Sequence, residues 1–177
     1  MKRMYAPWRH DYVTGGQDKH KKPEDPTKVT KDACVFCQQF AQDQDKQAFI
    51  LKRFEHTAVM LNRFPYNAGH VMVLPLAHKA NLTDLMTDER NELMAVTNYA
   101  TMVLEQILKP QGFNVGINLG LAGGGGIPSH LHFHVLPRWR GDTNFLETLG
   151  ETKVISSYLE TTYTDLKAGF ENIIMPK

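Results

Sequence analysis

No run of apolar residues in this chain approaches the roughly 20 needed to cross a bilayer, so no membrane-spanning helix is expected. A charge excess is also missing: 20 Lys and Arg stand against 19 Asp and Glu, a formal net charge of +1. Proteins that hold nucleic acid mainly through its phosphates carry a clear basic excess, so nucleic acid is not an expected partner. The opening "MKRMYAPWRHDYV" is basic but has no apolar core of the secretory kind, and residence in the cytoplasm is expected. Cysteine is scarce, with only Cys34 and Cys37. In a reducing compartment these two are not expected to form a structural disulfide. No internal repeat occurs, and no acidic cluster suited to Mg²⁺ stands out. What is present is ordinary: 177 residues, 42% hydrophobic and 22% charged. That is about the size of one domain and long enough to bury a core.

The N-terminal segment divides in two. "YAPWRHDYV" is aromatic and suited to docking, whereas "TGGQDKHKKPEDPTKVTKDA" is rich in Lys, Asp, Pro and Gly and reads as a solvated loop. From residue 48 the pattern becomes regular. "AFILKR", "TAVMLNRF" and "HVMVLPL" are β-compatible, with "PYNAG" as a turn before the last of them. A long helix is predicted from Thr87, with Leu93, Val96, Ala100, Val103, Leu104 and Ile107 at helical spacing. Asp88 and Glu89 suit its N-terminal dipole, and Pro110 and Gly112 end it. "FNVGINLG" and "SHLHFHVLPRW" are two further strands separated by the flexible "LAGGGG". "TKVISSYLETTYTDLKAGFENI" reads as a closing helix that frays near Gly169. Strands, one long helix, two strands and a helix make an α+β fold, a sheet of about five strands with helices packed on one face.

Residues 129–139, "SHLHFHVLPRW", place a histidine at every second position. Successive side chains on a strand point to opposite faces, so His130, His132 and His134 share one face, about 7 Å apart. Leu131, Phe133 and Val135 then point into a core. Two of the three imidazoles would suit a zinc site. The preceding "NLGLAGGGGIPS" favours another chemistry: its glycines let backbone N–H groups turn inward around an anion. An imidazole, largely neutral at pH 7, can attack phosphorus without a strong base.

H-L-H-F-H-V-L, with "LNRFPYNAGHVMVLPLAH" upstream, resembles the histidine triad (HIT) family. "GFNVGINLG", "HLHFHVLPRW", "GDTNF" and "TKVI" are most similar to bacterial members of the diadenosine tetraphosphate phosphorylase and hydrolase type. The resemblance implies an antiparallel HIT-like sheet in one domain, 34–177, behind a partly flexible extension, 1–33. It implies a homodimer as well. It makes His132 the nucleophile on the α-phosphorus of a nucleotide and gives His134 a hydrogen bond to the phosphate or leaving group. Asn118, Gly125, Gly126 and Ser129 would contact phosphate, although relatives often carry Gln, Ser or Thr near Gly126. Asn62 would meet the ribose hydroxyls; read from the residues alone, it is a turn residue capping its own backbone. His70 reads as a structural histidine. Arg138 steers anions or lies on the rim, and Trp139 stacks on a base or packs a dimer.

"CVFC" has the spacing of a zinc knuckle or a redox pair. A redox pair belongs at a helix start after a strand, and the solvated segment before Cys34 supplies no strand. A metal would need two more ligands, and the resemblance implies a structural zinc on Cys34, Cys37, His78 and His130. Two unmetallated thiols are the alternative. No organic cofactor is expected. The activity implied is hydrolysis or phosphorolysis of a dinucleoside polyphosphate, diadenosine tetraphosphate or similar, through a nucleotidyl-histidine. A purine nucleotide phosphoramidase and a low-turnover nucleotide-binding regulator are the alternatives. Two rivals, an aprataxin-like processor of adenylated DNA ends and a zinc hydrolase built on the triad, carry less weight.

Overall fold

The structure, a computed structural model, describes residues 26–176 apart from 151, 153 and 156. The aromatic segment "YAPWRHDYV" and most of the loop that follows it lie outside the described residues. Among the described residues no helix is long and apolar enough to cross a membrane.

Five strands form one antiparallel sheet: β1 (Ile50–Arg53), β2 (Thr57–Leu61), β3 (Val71–Pro75), β4 (Gly112–Ile117) and β5 (Phe133–Arg138), in the order β1-β2-β3-β5-β4. The central strands β2 and β3 are buried along their whole length. Alternation sorts their side chains between two cores. Val59, Leu61, Val71, Val73, Phe133 and Val135 face one side, where helix α3 (Thr87–Leu108) packs with Leu93, Val96, Ala100, Val103 and Leu104. Helix α5 (Leu159–Asn172) completes this layer with Tyr163, Leu166 and Phe170. Met60, Met72 and Leu74 face the other side.

Helix α3 begins at Thr87 as its periodicity predicts, with the Glu89 carboxylate accepting the Met86 N–H at 2.8 Å. It stops where Lys109 turns left-handed (φ 48) before Pro110.

Helices do not keep to one face. The "CVFC" segment continues into a seven-residue helix, α1 (Val35–Ala41), whose Phe36 and Cys37 join the second core. A single turn, α2 (Asp45–Ala48), leads from it into β1. Both are too short for a periodic signal. The described part of the charged N-terminal loop forms two 3-10 turns, Pro26–Lys28 and Lys31–Ala33, and Val29 between them packs against this second core.

The closing helix is shorter than its sequence pattern predicts. It starts at Leu159, after a short helix α4 (Phe145–Leu149) that carried no signal. Nor does it fray at Gly169, which is buried. A Cβ there would lie 2.8 Å from Ile107 Cγ1 and 3.1 Å from Val103 Cγ1, so α5 packs tightly on α3 at this glycine.

Candidate active site

The strand carrying the histidines also starts later than expected. His130 and His132 precede β5, because the Leu131 N–H is given to Lys79 O at 2.6 Å rather than to a neighbouring strand. The alternation nonetheless continues backwards through them. Leu131 enters the first core and all three histidines lie buried on the other face.

Each imidazole has its tautomer set by its neighbours. His132 Nδ1 lies 2.8 Å from His130 O, an acceptor, so this nitrogen carries the proton. Its Nε2 is left with a lone pair, and no described residue hydrogen-bonds to it. His70 Nδ1 accepts the Tyr66 N–H at 3.1 Å, so His70 donates from Nε2 to His134 Nδ1 at 2.9 Å. That in turn puts the His134 proton on Nε2, which is buried with no partner among the described residues. The relay Tyr66–His70–His134 thus presents a bare donor beside a bare acceptor, with the His132 and His134 ring centroids 4.9 Å apart.

His70 owes its position to the turn before β3. Gly69 is left-handed (φ +72), a conformation that residues with a side chain adopt only under strain, and a Cβ on it would also meet the tip of Leu108.

Burial works against charge throughout the group. It drives His70 down to about 3, helped by His134 and His132. It drives His134 down to about 4, helped by His132. His132 is also held below its ordinary value, against the opposing hydrogen bond to His130. All are neutral at pH 7. The unfolded chain protonates these imidazoles near an ordinary pKa of about 6.5, while the folded chain resists down to about 3–4. Over that window the unfolded state binds more protons, so stability is full above about 6.5 and falls with pH below it. Melting temperatures measured from pH 8 to pH 4 should therefore decline below pH 6.5, and His70→Gln should flatten the decline.

His132 and His134 line a cavity of about 370 Å³ with Asn62, Gly126, Tyr66 and a set of apolar side chains. Asn118 lines a smaller hollow on the β4 side of His134. The glycine loop folds back so that Gly125 packs on Asn118, where a Cβ would come within 3.3 Å of the Asn118 carbonyl oxygen. Ser129 lines neither space, but its hydroxyl is buried without a partner among the described residues.

On the far side of His130 lies a second group. The ligand atoms of Cys34, Cys37, His78 and His130 all fall within 4.8 Å of one another. His130 donates from Nε2 to Pro75 O at 2.9 Å, and His78 from Nε2 to Val29 O at 3.0 Å. Both therefore aim an Nδ1 lone pair at the sulfurs, from 3.3 to 3.5 Å. A tetrahedral zinc with ordinary Zn–S and Zn–N bonds sets sulfur and nitrogen about 3.6 Å apart. Backbone acceptors on the outer nitrogens are the usual way of orienting such ligands. Burial, then the neighbouring Cys34, push the Cys37 thiol up to about 11, and a cation between the sulfurs would reverse that cost.

The family model for the HIT domain matches residues 43–141. The chain belongs to the HIT family. It is 38% identical to the "AP-4-A phosphorylase" of Mycobacterium tuberculosis over 162 residues, 92% of this chain and 80% of that one. It is 30% identical over 93 residues to the "Bis(5'-nucleosyl)-tetraphosphatase [asymmetrical]" of Schizosaccharomyces pombe, covering 52% of this chain and 50% of that one. Among solved structures it resembles a Zn-bound histidine triad family protein from Mycobacterium smegmatis. That match has a TM-score of 0.66 and 26% identity, covering 80% of this chain and 96% of that one.

Other HIT-domain residues have well-defined surroundings. Asn62 is tied to its own turn: its Oδ1 accepts the Phe64 N–H at 2.9 Å, and its Nδ2 lies 3.4 Å from His70 Nδ1. His70 is more than structural padding, since it fixes the tautomer of His134. Arg138 is held by Asp142 at 2.7 Å and bonded to Asn114, and lines neither the triad cavity nor the Asn118 hollow. Trp139 lines a separate hollow with Asn67, Arg140 and Asp165 rather than the cavity of the triad. Tyr66 was invisible to sequence reasoning, because it acts through its backbone N–H and through a ring 5.5 Å from His134.

Proposed function

We propose that this chain is a cytoplasmic nucleotidyltransferase that splits dinucleoside polyphosphates, diadenosine tetraphosphate or a close relative, by phosphorolysis. The observation that carries the reading is the pair of opposed tautomers. An unprotonated His132 Nε2 and a protonated His134 Nε2 share one cavity.

In this reading the His132 Nε2 lone pair forms a bond to the α-phosphorus. The bond from that phosphorus to its bridging oxygen breaks, and ATP leaves with the electron pair. The imidazole becomes cationic as it is nucleotidylated, and its Nδ1–H, held on the His130 carbonyl, spreads that charge. His134 Nε2–H supports a phosphoryl or leaving-group oxygen, and amides of Gly125 and Gly126 with Asn118 receive the others. Donors fixed in place before the charge develops supply much of the rate enhancement in many enzymes. Inorganic phosphate then attacks, releasing ADP and restoring His132.

Zinc bound by Cys34, Cys37, His78 and His130 would take no part in the chemistry and would fix the strand leading to His132. Two copies would pair through the β4 edge, where Val115 is 47% exposed. Sedimentation should then give a dimer for the natural chain and a monomer for Val115→Arg.

Similarity to the phosphorylase over 92% of the chain favours phosphate over water as acceptor. Incubation with diadenosine tetraphosphate tests this. ATP and ADP in equal amounts, dependent on inorganic phosphate, are expected. ATP with AMP regardless of phosphate would make the enzyme a hydrolase, and no turnover would overturn the proposal.

A further inference from the structure

The His134 tautomer is set from the turn between β2 and β3, and the side chain of Asn67 ties that turn to β5. Arg138 O accepts the Gln111 N–H from the β4 side at 2.8 Å, so by alternation Pro137 O faces the other side. On that side β3 pairs no further along β5 than Val135. Buried Asn67 fills the gap: its Nδ2 donates to Pro137 O at 2.9 Å and to Asp142 Oδ2 at 2.7 Å. Hydrogen bonds from Arg138 hold the Asp142 carboxyl well below the usual carboxylate range, so Asp142 only accepts. Two acceptors on its nitrogen fix the orientation of the Asn67 amide. The backbone of Asn67 grips the relay as well, with Asn67 O accepting the His70 N–H at 3.2 Å. The Tyr66 N–H next to it meets His70 Nδ1 at 3.1 Å, and Asn62 Nδ2 lies 3.4 Å from the same nitrogen. Both groups that keep His70 Nδ1 unprotonated thus ride on the turn that Asn67 anchors.

We infer that Asn67 is a positioning residue: by pinning the turn to Pro137 O and Asp142 it keeps the His134 proton on Nε2. The inference rests on His134 being the donor in the reaction proposed above. With the anchor gone the turn shifts, the Tyr66 N–H leaves His70 Nδ1, and that nitrogen becomes free to take the ring proton. His70 Nε2 then accepts from His134 Nδ1, and His134 Nε2 is left with a lone pair. Each imidazole keeps its one proton, which only changes nitrogen. A lone pair set against a phosphoryl oxygen repels it, where an N–H fixed in advance would support it. Asn67 lines neither the triad cavity nor the Asn118 hollow, so its loss leaves the walls that hold substrate in place. The damage therefore falls on kcat and spares KM.

The test is Asn67→Ala, read by the ring-nitrogen NMR spectrum of His134 and by steady-state kinetics on diadenosine tetraphosphate. In the natural chain the spectrum should place the His134 proton on Nε2. In Asn67→Ala it should show both tautomers, and kcat should fall roughly tenfold, part of the 10²- to 10³-fold that one prearranged donor contributes. KM should hold. The melting temperature should drop too, since Pro137 O and Asp142 lose a partner, but a merely structural residue would move that quantity alone. Asn67→Ser makes the same test should the alanine variant not fold. An unchanged tautomer or an unchanged kcat in the folded variant would overturn the assignment and leave the proposed reaction intact. A natural chain with no turnover would overturn the reaction and the assignment together.

Discussion

Replacing His132 with Asn should abolish turnover of diadenosine tetraphosphate, with kcat falling on the order of 10³-fold or more. The asparagine keeps a side-chain N–H able to reach the His130 carbonyl but has no ring nitrogen with a lone pair, so structure is retained while the nucleophile is lost. A second readout separates this from general damage. Acid-free denaturing electrophoresis after incubation with a labelled substrate should show label on the natural chain and none on His132→Asn. His134→Asn should still be labelled, more slowly, because it loses a donor and keeps the attacking nitrogen. An unlabelled natural chain, or a His132→Asn variant with near-normal turnover, would remove the covalent mechanism.

Loss of zinc should produce the next largest effect. Metal binding is folding free energy wherever the site does not exist in the unfolded chain. Here a bound metal would support only part of a larger core, so a loss of about 4 kcal/mol, a fraction of that binding energy, is the expected scale. For a chain of this size that is about 8–16 °C in melting temperature. Cys37→Ser, or a strong chelator, should show this drop, and elemental analysis should show about one zinc per natural chain and none in the variant.

Activity should fall as well, for two structural reasons. His130, which a bound zinc would anchor, provides the carbonyl that fixes the His132 tautomer. Helix α1, which carries Cys37, also carries Val35, Phe36 and Gln39 of the cavity wall. KM should therefore rise together with the fall in kcat. A metal-free chain of unchanged melting temperature would make the four residues two thiols and two imidazoles with no metal to hold.

Much of this was legible in residue order, because it depends on local periodicity and on side-chain chemistry. The spacing of two between His130, His132 and His134 settles which residues share a face, and it did so even where β5 had not yet begun. The apolar stripe of α3 and its acidic first turn specify a helix that starts at Thr87. The C-x-x-C pair and the glycine run are likewise properties of the chain itself. The family follows from these, and with it the expected five-stranded sheet.

Other features were decided only when distant segments met. Which nitrogen of His132 or His134 holds the proton depends on a carbonyl two residues away and on a histidine 64 positions upstream. Gly169 reads as a helix end from its residue type, but Ile107 packs against it. The cover of the second sheet face by α1, and the anchoring of the β2–β3 turn by Asn67, have no periodic signature at all. Local pattern determines direction and burial along one element. Hydrogen-bond partners and close approaches are set by neighbours that the chain brings together only on folding, and proton placement follows those neighbours.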